Sequence, residues 1–384
     1  MSDLRPHEPG LRGLWLAALG CALSLAGCGQ QPPPAAAAPA AAGTAKAAAP
    51  PVVAGPLLEE CRRFAEEFLK AAGSGKSNRL NELINWPALL GRATQGIAAP
   101  PASQQRFIER GLQAAHDNRS FSARLVQTIK LGGKLRFLRI HSAGADRRVL
   151  FRLVRQDGGL GYFDFVLQHD PLGQVRIIDV DALQDGQLLS QILRETYLQT
   201  LATDDPRIVA SLVGDDRDLA EAAPQLAIIG GFRKAGHFPE ALRAFDELPR
   251  EVRSRKVFQR LHVAVAEGLG GKVYAEALEQ FRRRYPEDPS VALLAGDYYL
   301  RTKQYDQAAA CIRLLDADVA DPYLDVMLAR LYLQAGQPAA AREAADHAIR
   351  RAPRELEPYE VRLSVSLVEK QFADTARLLH FIGT

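Results

Sequence analysis

Cys28 is the residue whose neighbours in the sequence most clearly indicate a covalent reaction. It ends the tetrad Leu25–Cys28, which closes an apolar stretch beginning at Leu14, and Arg5 and Arg12 precede that stretch. A basic start, a short apolar core and small residues at a cleavage point are the layout of a secretory signal. The stretch is shorter than the about 20 apolar residues that a membrane-spanning helix needs. We therefore expect cleavage after residue 27, with a cysteine at the new amino terminus.

The tetrad, LAGC, resembles the lipobox of bacterial lipoproteins. In that family the cysteine thiol receives a diacylglyceryl group, the peptide is cut before the cysteine, and the new amino group is acylated. The resemblance implies that Cys28 carries palmitate-like chains, which hold a protein on a membrane because each buried CH₂ contributes roughly 0.8 kcal/mol. An Asp after the cysteine resembles an inner-membrane retention signal, and Gly29 stands there instead. The resemblance thus implies a lipid anchor in the bacterial outer membrane, facing the periplasm.

Composition divides the rest of the chain into a tether and two domains. Residues 28–56 are mainly Pro and Ala, and Lys46 is the only charged residue among them. Such a segment cannot bury a core and should be an extended, disordered tether. The remaining residues suffice for two domains, which we place at 57–203 and 204–384. The net charge of +3, without a basic stripe, argues against a nucleic-acid partner.

The cysteines and the short motifs give no indication of a cofactor. Besides Cys28, Cys61 and Cys311 lie beyond the signal, one in each predicted domain. A disulfide between them is possible in an oxidising periplasm if the domains place them within reach. Neither has a Cys or His neighbour at the spacing of a zinc site. No phosphate loop or nucleophile elbow is visible, so neither a metal nor a cofactor is expected.

The C-terminal half contains an internal period, marked by small residues at five equivalent positions. Successive members are 36, 31, 33 and 34 residues apart: Ala241, Ala277, Ala308, Ala341 and Thr375. Four residues after each comes an apolar residue: Phe245, Phe281, Ile312, Ala345 and Leu379. A repeat of this length is typical of stacked helical hairpins, in which a small residue allows two helices to approach closely. The sequence therefore predicts an all-α solenoid of about five hairpins.

This pattern resembles the tetratricopeptide (TPR) repeat. The segment Leu328–Tyr332, followed by Gly336, Ala341, Ala348 and Pro353, is the best match, whereas Ile229 and Val265 replace the usual small residue. The resemblance implies a concave groove that is formed by the first helices and binds a protein or peptide. Its inward positions would be Arg233, Lys234, His262, Asp297, Arg301, Arg330 and Gln334. This basic mixture suits an acidic or carboxylate-bearing peptide, but it lacks the paired asparagines and lysines of the family's carboxylate clamp.

The N-terminal half has the pattern of an α+β domain. Helical spacing over Leu57–Ala72, Leu80–Leu90 and Phe107–Ala115 predicts three helices, and Leu188–Leu201 predicts a closing helix. Between them a period of two predicts five antiparallel strands: Phe121–Ile129, Lys134–His141, Arg148–Arg155, Gly161–Gln168 and Gln174–Asp181. This order is similar to the cystatin-like fold of the nuclear-transport-factor and ketosteroid-isomerase superfamily. The resemblance implies an apolar pocket between the sheet and the helices.

Polar residues on the predicted strands are the candidates for catalysis. Some members of that superfamily use an Asp as general base, and the candidates are Asp164, Asp179 and Asp181, with Tyr162, His141 and His169 near them. Alternating polar residues are normally the solvated face of an antiparallel sheet, and no complete acid–base constellation is visible. We therefore expect a non-enzymatic scaffold that binds proteins through its repeats. The alternative is a carrier or sensor of a lipid or other apolar ligand in the N-terminal pocket.

Overall fold

The computed structural model describes residues 55–117, 120–204 and 206–383. Cys28, the predicted signal and nearly all of the predicted tether lie outside the described residues. Among the described residues, no helix has the length and apolar character needed to cross a membrane. Cys61 and Cys311 are both buried free thiols.

In the described residues, five helices precede the sheet. They are α1 (Leu58–Gly73), α2 (Ser77–Asn81), α3 (Trp86–Thr94), α4 (Pro101–Ala115) and α5 (Phe121–Lys130). The predicted helix over Leu80–Leu90 is divided between α2 and α3, where the Asn85 side chain accepts a hydrogen bond from the Ala88 amide at 3.0 Å. An asparagine in this position caps the start of a helix, so α3 begins anew after the break.

The sheet has five antiparallel strands in sequential order. They are β1 (Lys134–Ala143), β2 (Asp146–Val154), β3 (Leu160–His169), β4 (Val175–Ala182) and the short β5 (Gln187–Leu188), after which α6 (Leu189–Asp204) follows. Four predicted strands and the closing helix are confirmed, and so is the α+β class of this half. The fifth strand in the structure is β5 and not Phe121–Ile129.

The prediction of a strand over Phe121–Ile129 is wrong, because this segment is helix α5. The Ser120 hydroxyl accepts a hydrogen bond from the Ala123 amide at 3.3 Å, which is a helix N-cap. Phe121 and Leu125, four residues apart, are buried on the same side of the helix. The segment therefore has helical spacing as well as partial alternation, and the cap decides between them.

One face of the sheet packs on α1, α2, α3 and α5 through a cluster of phenylalanines. The ring centroids of Phe68, Phe151 and Phe165 lie 4.7 to 5.4 Å apart, and all three side chains are fully buried. Aromatic rings prefer such offset or tilted contacts. The superfamily resemblance implies a pocket between the sheet and these helices. Closely packed aromatic rings occupy that space.

The C-terminal half consists of helices, as predicted. After α7 (Gly214–Glu221), five pairs pack in chain order, with the short α10 (Arg250–Arg253) after the first. The pairs are α8 and α9 (Ala223–Lys234, Phe238–Asp246), α11 and α12 (Lys256–Leu269, Gly271–Arg284), α13 and α14 (Pro289–Arg301, Tyr305–Val319), α15 and α16 (Tyr323–Gln334, Pro338–Arg351), and α17 and α18 (Leu356–Val368, Phe372–Gly383). The five repeat positions fall in the second helices, and all five residues are buried. The larger Ile229 and Val265 are also buried, in the first helices.

The turn within a pair has the same backbone geometry in several repeats. Gly236, Lys303, Gly336 and Lys370 all have a positive φ, between 57° and 78°. Each lies two residues before the second helix of its pair. Glycine adopts this conformation without steric cost, and two of the pairs use lysine instead. The repeated turn supports the repeat register inferred from the small residues.

The second face of the sheet packs on the helical pairs. Leu150, Leu160 and Tyr162 belong to one hydrophobic cluster with residues of α11 to α17, and each is less than 10% exposed. The interpretation of this face as solvated is therefore wrong. Its apolar members meet the helices of the other half, which cover them and remove them from water. The two halves consequently share one core.

Candidate functional site

The first helices of four pairs begin next to the sheet or next to the turn between β4 and β5. At α11, the Lys256 ammonium donates to the Gly186 carbonyl oxygen at 2.9 Å. Ahead of α15, the Arg139 guanidinium donates to the Val319 carbonyl oxygen at 2.8 Å. Gly186 has a φ of 61°, and a Cβ there would lie 2.5 Å from Ser290 Oγ at the start of α13. At α17, Arg136 forms an ion pair of 3.0 Å with Glu355.

Asp321 is the polar centre of this contact. It is fully buried, and its carboxylate accepts from Arg152 Nη1 at 2.6 Å and from the Tyr162 hydroxyl at 2.9 Å. It also accepts from the Tyr323 amide at 3.1 Å, while the Arg152 guanidinium lies 4.4 Å from the centroid of the Tyr323 ring. Burial and the negative charge of Asp321 raise the pKa of Tyr162. The sheet and α15 are thus joined through a buried, hydrogen-bonded ion pair.

Two clefts open where the sheet meets the helices. We call the first the acidic cleft. It has a volume of about 660 Å³, and three Lys or Arg against five Asp or Glu line it. Those charged residues are Arg139, Arg148, Lys256, Asp164, Asp181, Glu287, Asp288 and Asp318, with His141 beside them.

The acidic cleft brings three of the catalytic candidates together. His141 Nε2 lies 2.9 Å from Asp164 Oδ1, and Arg148 donates to the other carboxylate oxygen at 3.3 Å. Burial, reinforced by the nearby Asp164, raises the pKa of Asp181 to about 6. A His–Asp pair can move a proton, but in the described residues the hydrogen bond of His141 is to Asp164 alone. The arrangement is a His–Asp pair whose aspartate is also bound by an arginine.

The other catalytic candidates lie elsewhere. Asp179 is fully buried and accepts from the Ser190 hydroxyl at 2.5 Å and from Arg92 Nε at 3.1 Å, which joins β4 to α6 and α3. Tyr162 donates to Asp321, as described, and His169 pairs with Glu60 at 3.2 Å. These contacts hold structural elements together. No group of three or more His, Cys, Asp or Glu in the described ranges could hold a metal ion.

We call the second opening the basic cleft. It has a volume of about 640 Å³ and lies between the β1–β2 side of the sheet and helices α15 and α17. Five Lys or Arg against two Glu line it: Lys134, Arg136, Arg152, Arg155, Arg330, Glu357 and Glu360. Leu135, Val154 and the Tyr323 ring contribute its apolar walls. It therefore combines apolar surface with cations from both halves of the chain, as sites for organic anions do.

Of the seven predicted groove residues, Arg330 is the one that lines the basic cleft. It is exposed, and Nη1 lies 3.3 Å from the Tyr323 hydroxyl. Gln334 is exposed one turn further along α15. On α13, Asp297 is buried and forms an ion pair of 3.1 Å with the exposed Arg301.

The other three predicted groove residues belong to the first two pairs. The ring of His262 stacks on Phe245 with a centroid distance of 4.8 Å, and burial lowers the pKa of His262. Burial likewise lowers the pKa of Arg233, whereas Lys234 beside it is exposed. These three residues do not line either cleft.

Sequence reasoning missed the residues that the sheet contributes to the clefts. Lys134, Arg136 and Arg152 were assigned to strands and given no role. The available signal was Leu150 between Arg148 and Arg152 on β2, because an apolar residue flanked by arginines on one strand face indicates a covered face. No protein-family model, curated protein or solved structure matches the chain.

Proposed function

We propose that the protein is an outer-membrane lipoprotein that faces the periplasm and binds another protein through TPR-like repeats. The lipid anchor is proposed from the Leu25–Cys28 tetrad and Gly29, and the binding role is proposed from the helix surface that the sheet leaves exposed. The sheet covers the starts of the first helices, whereas Arg301, Arg330 and Gln334, further along α13 and α15, are exposed. Helical repeats commonly use the surface of their first helices for binding. The exposed cations suit an acidic partner.

The position of the first described residue is compatible with a tethered domain. Gly55 lies beside Arg147 in the β1–β2 hairpin, with a Cβ-to-Cβ distance of 3.4 Å for a side chain built at Gly55. The chain from Gly29 to residue 54, fully extended at about 3.3 Å per residue, reaches ~85 Å. An anchor at Cys28 would therefore allow the folded part to stand well clear of the membrane while it binds its partner.

The anchor is tested at Cys28. Replacing Cys28 with alanine removes the thiol that receives the diacylglyceryl group, so we expect palmitate labelling to disappear and an uncleaved precursor to accumulate. Metabolic labelling with a palmitate analogue, followed by fractionation of the membranes, measures both effects. Cys61→Ala is the control, because this thiol is buried. Full labelling of the Cys28→Ala variant would exclude lipidation at this residue.

The binding surface is tested by reversing two charges. A variant with Arg301→Glu and Arg330→Glu should lose an acidic partner while remaining folded, because a carboxylate facing a carboxylate is repulsive. Cross-linking in intact cells, followed by mass spectrometry, identifies the neighbours of the wild type and of the variant. The matched control carries Arg283→Glu and Arg377→Glu, which alter two exposed arginines on second helices. A folded variant that keeps every cross-linked neighbour would rule out this surface.

A further inference from the structure

The basic cleft contains cations from parts of the chain that are far apart in sequence. Lys134 and Arg136 come from β1 and Arg152 from β2, while Arg330 comes from α15. The sheet therefore contributes most of the positive charge, and the helical pairs contribute the rest. A ligand in this cleft would contact both halves at once.

Arg330 is a cation of the basic cleft that can form an ion pair with a ligand anion. Its recorded contacts are with Tyr323, 3.3 Å from the hydroxyl and 5.9 Å from the ring centroid. Among the described residues, no carboxylate lies within 4.0 Å of its guanidinium. A guanidinium presents several N–H donors in one plane, which matches the two oxygens of a carboxylate. A carboxylate would thus give Arg330 the partner that it lacks.

Two further cations of the cleft are partly exposed although each already has a carboxylate partner. Arg136 pairs with Glu355 at 3.0 Å and Lys134 with Glu357 at 3.8 Å, and their side chains are 42% and 77% exposed. Glu355 and Glu357 are only 17% and 20% exposed and stay in place, whereas the exposed part of each cation can also face a ligand in the cleft. A ligand carboxylate can therefore share these cations without large loss.

Arg152 adds a buried donor. It is 3% exposed and lines the cleft, and although its Nη1 atom binds Asp321, its Nε atom has no hydrogen-bond partner among the described residues. A buried N–H without an acceptor is unfavourable. The Arg152 guanidinium also adds positive charge to the wall of the cleft, which attracts an anion.

The wall of the basic cleft that α17 forms limits the kind of anion that can bind there. Glu357 and Glu360 from α17 line the same cleft, and they would repel an extended polyanion. An isolated carboxylate next to apolar groups meets Arg330 on one side and Leu135, Val154 and the Tyr323 ring on the others. The wall therefore favours a short acidic segment over a phosphate backbone.

We infer that the basic cleft binds a carboxylate of an acidic protein segment, so that the sheet provides part of the partner-binding site. This inference rests on the proposed function and names the chemistry that the partner must present. The carboxylate belongs either to an Asp or Glu side chain or to a C-terminus. Arg330 forms the primary ion pair, and Arg136 strengthens it from the sheet.

The test uses the full mature chain in detergent and two fluorescent peptides of stated composition. One contains five alanines and a single glutamate and has an amidated C-terminus, and the other is hexa-alanine with a free C-terminal carboxylate. We expect binding of one of them, measured by fluorescence anisotropy, to weaken ~tenfold in Arg330→Gln and in Arg136→Gln, since each loses a charge-assisted contact. Arg283→Gln is the control, and its affinity should equal that of the wild type. Which peptide binds distinguishes the side-chain carboxylate from the terminal one.

Neutral glutamine is chosen because glutamate at residue 136 would face Glu355 and disturb the fold. Wild-type protein that binds neither peptide, or unchanged affinity in both variants, would overturn the inference. Tighter binding of a third fluorescent peptide, hexalysine, than of either of these two would overturn it as well. The proposed scaffold is judged separately by cross-linking: loss of the partner in the Arg301→Glu and Arg330→Glu variant, but not in Arg136→Gln, would retain the scaffold and reject the sheet as part of its site.

Discussion

Replacing Asp321 with alanine is expected to lower the free energy of unfolding by about 3–5 kcal/mol, because it leaves a buried charge without its partner. Arg152 is 3% exposed and loses an ion pair of 2.6 Å, and the buried Tyr162 hydroxyl loses its acceptor at 2.9 Å. Both groups lie between the sheet and α15, where water cannot easily replace the carboxylate. Unfolding in urea, followed by circular dichroism, measures the change.

Asp306→Ala is the matched control for this substitution. Asp306 is exposed in the first turn of α14, and substitutions at such sites usually change stability by less than about 0.5 kcal/mol. Asp321→Asn retains two polar atoms and loses the charge, so its effect should lie between the two. Equal stability of Asp321→Ala and Asp306→Ala would mean that Asp321 does not hold the two halves together.

Glu195→Gln is expected to stabilise the protein above neutral pH. Burial raises the pKa of Glu195 to about 7, against the lowering effects of the Gln187 hydrogen bond and Arg260. The folded protein therefore retains a proton that the unfolded chain releases above its ordinary pKa of 4.5. Stability falls as the pH rises between these two values and is lowest above the higher one. The glutamine variant avoids this loss, which amounts to roughly 3 kcal/mol above pH 7 at about 1.4 kcal/mol per pKa unit.

The decisive measurement for Glu195 is how the difference in free energy of unfolding between Glu195→Gln and the wild type depends on pH. The free energies of unfolding of variant and wild type should converge near pH 4.5 and separate as the pH rises towards 7. Gln187 Nε2 donates to Glu195 at 3.1 Å, and a glutamine oxygen can accept the same hydrogen bond. Glu343→Gln, on the exposed surface of α16, should show no such separation. A difference that is constant with pH would exclude the charge of Glu195 as the cause.

Local patterns were sufficient to predict most elements of the fold. The repeat positions, such as Ala341, lie in second helices and are buried, since a period of about 34 residues is a property of the sequence itself. The turns between β2, β3 and β4 also lie where the glycines and Pro171 indicated. The exception, Phe121–Lys130, contains spacing that fits both a strand and a helix. In that segment the Ser120 N-cap correctly indicates a helix.

The contact between the two halves was not predictable in the same way. Arg152 and Asp321 are separated by 169 positions, and no spacing rule connects a strand arginine with an aspartate ahead of a helix. The clefts follow from this contact, so most of their residues had no signal as members of a site. Arg330 was identified because the helical period alone places it on a first helix.

The shared core also changes how this chain must acquire its structure. In an array of helical hairpins, each repeat contacts only its neighbours. Folding of such an array can begin at any repeat and propagate to the next. Here the second face of the sheet is completed by residues that are made more than 150 positions later, as the separation of Arg152 and Asp321 illustrates. Contacts between distant positions slow folding, because a long loop must be closed before they contribute. Until the helices from α11 onward are made, Leu150 and Tyr162 lack the residues that share their cluster, and the sheet reaches its final stability only after most of the chain has been synthesised.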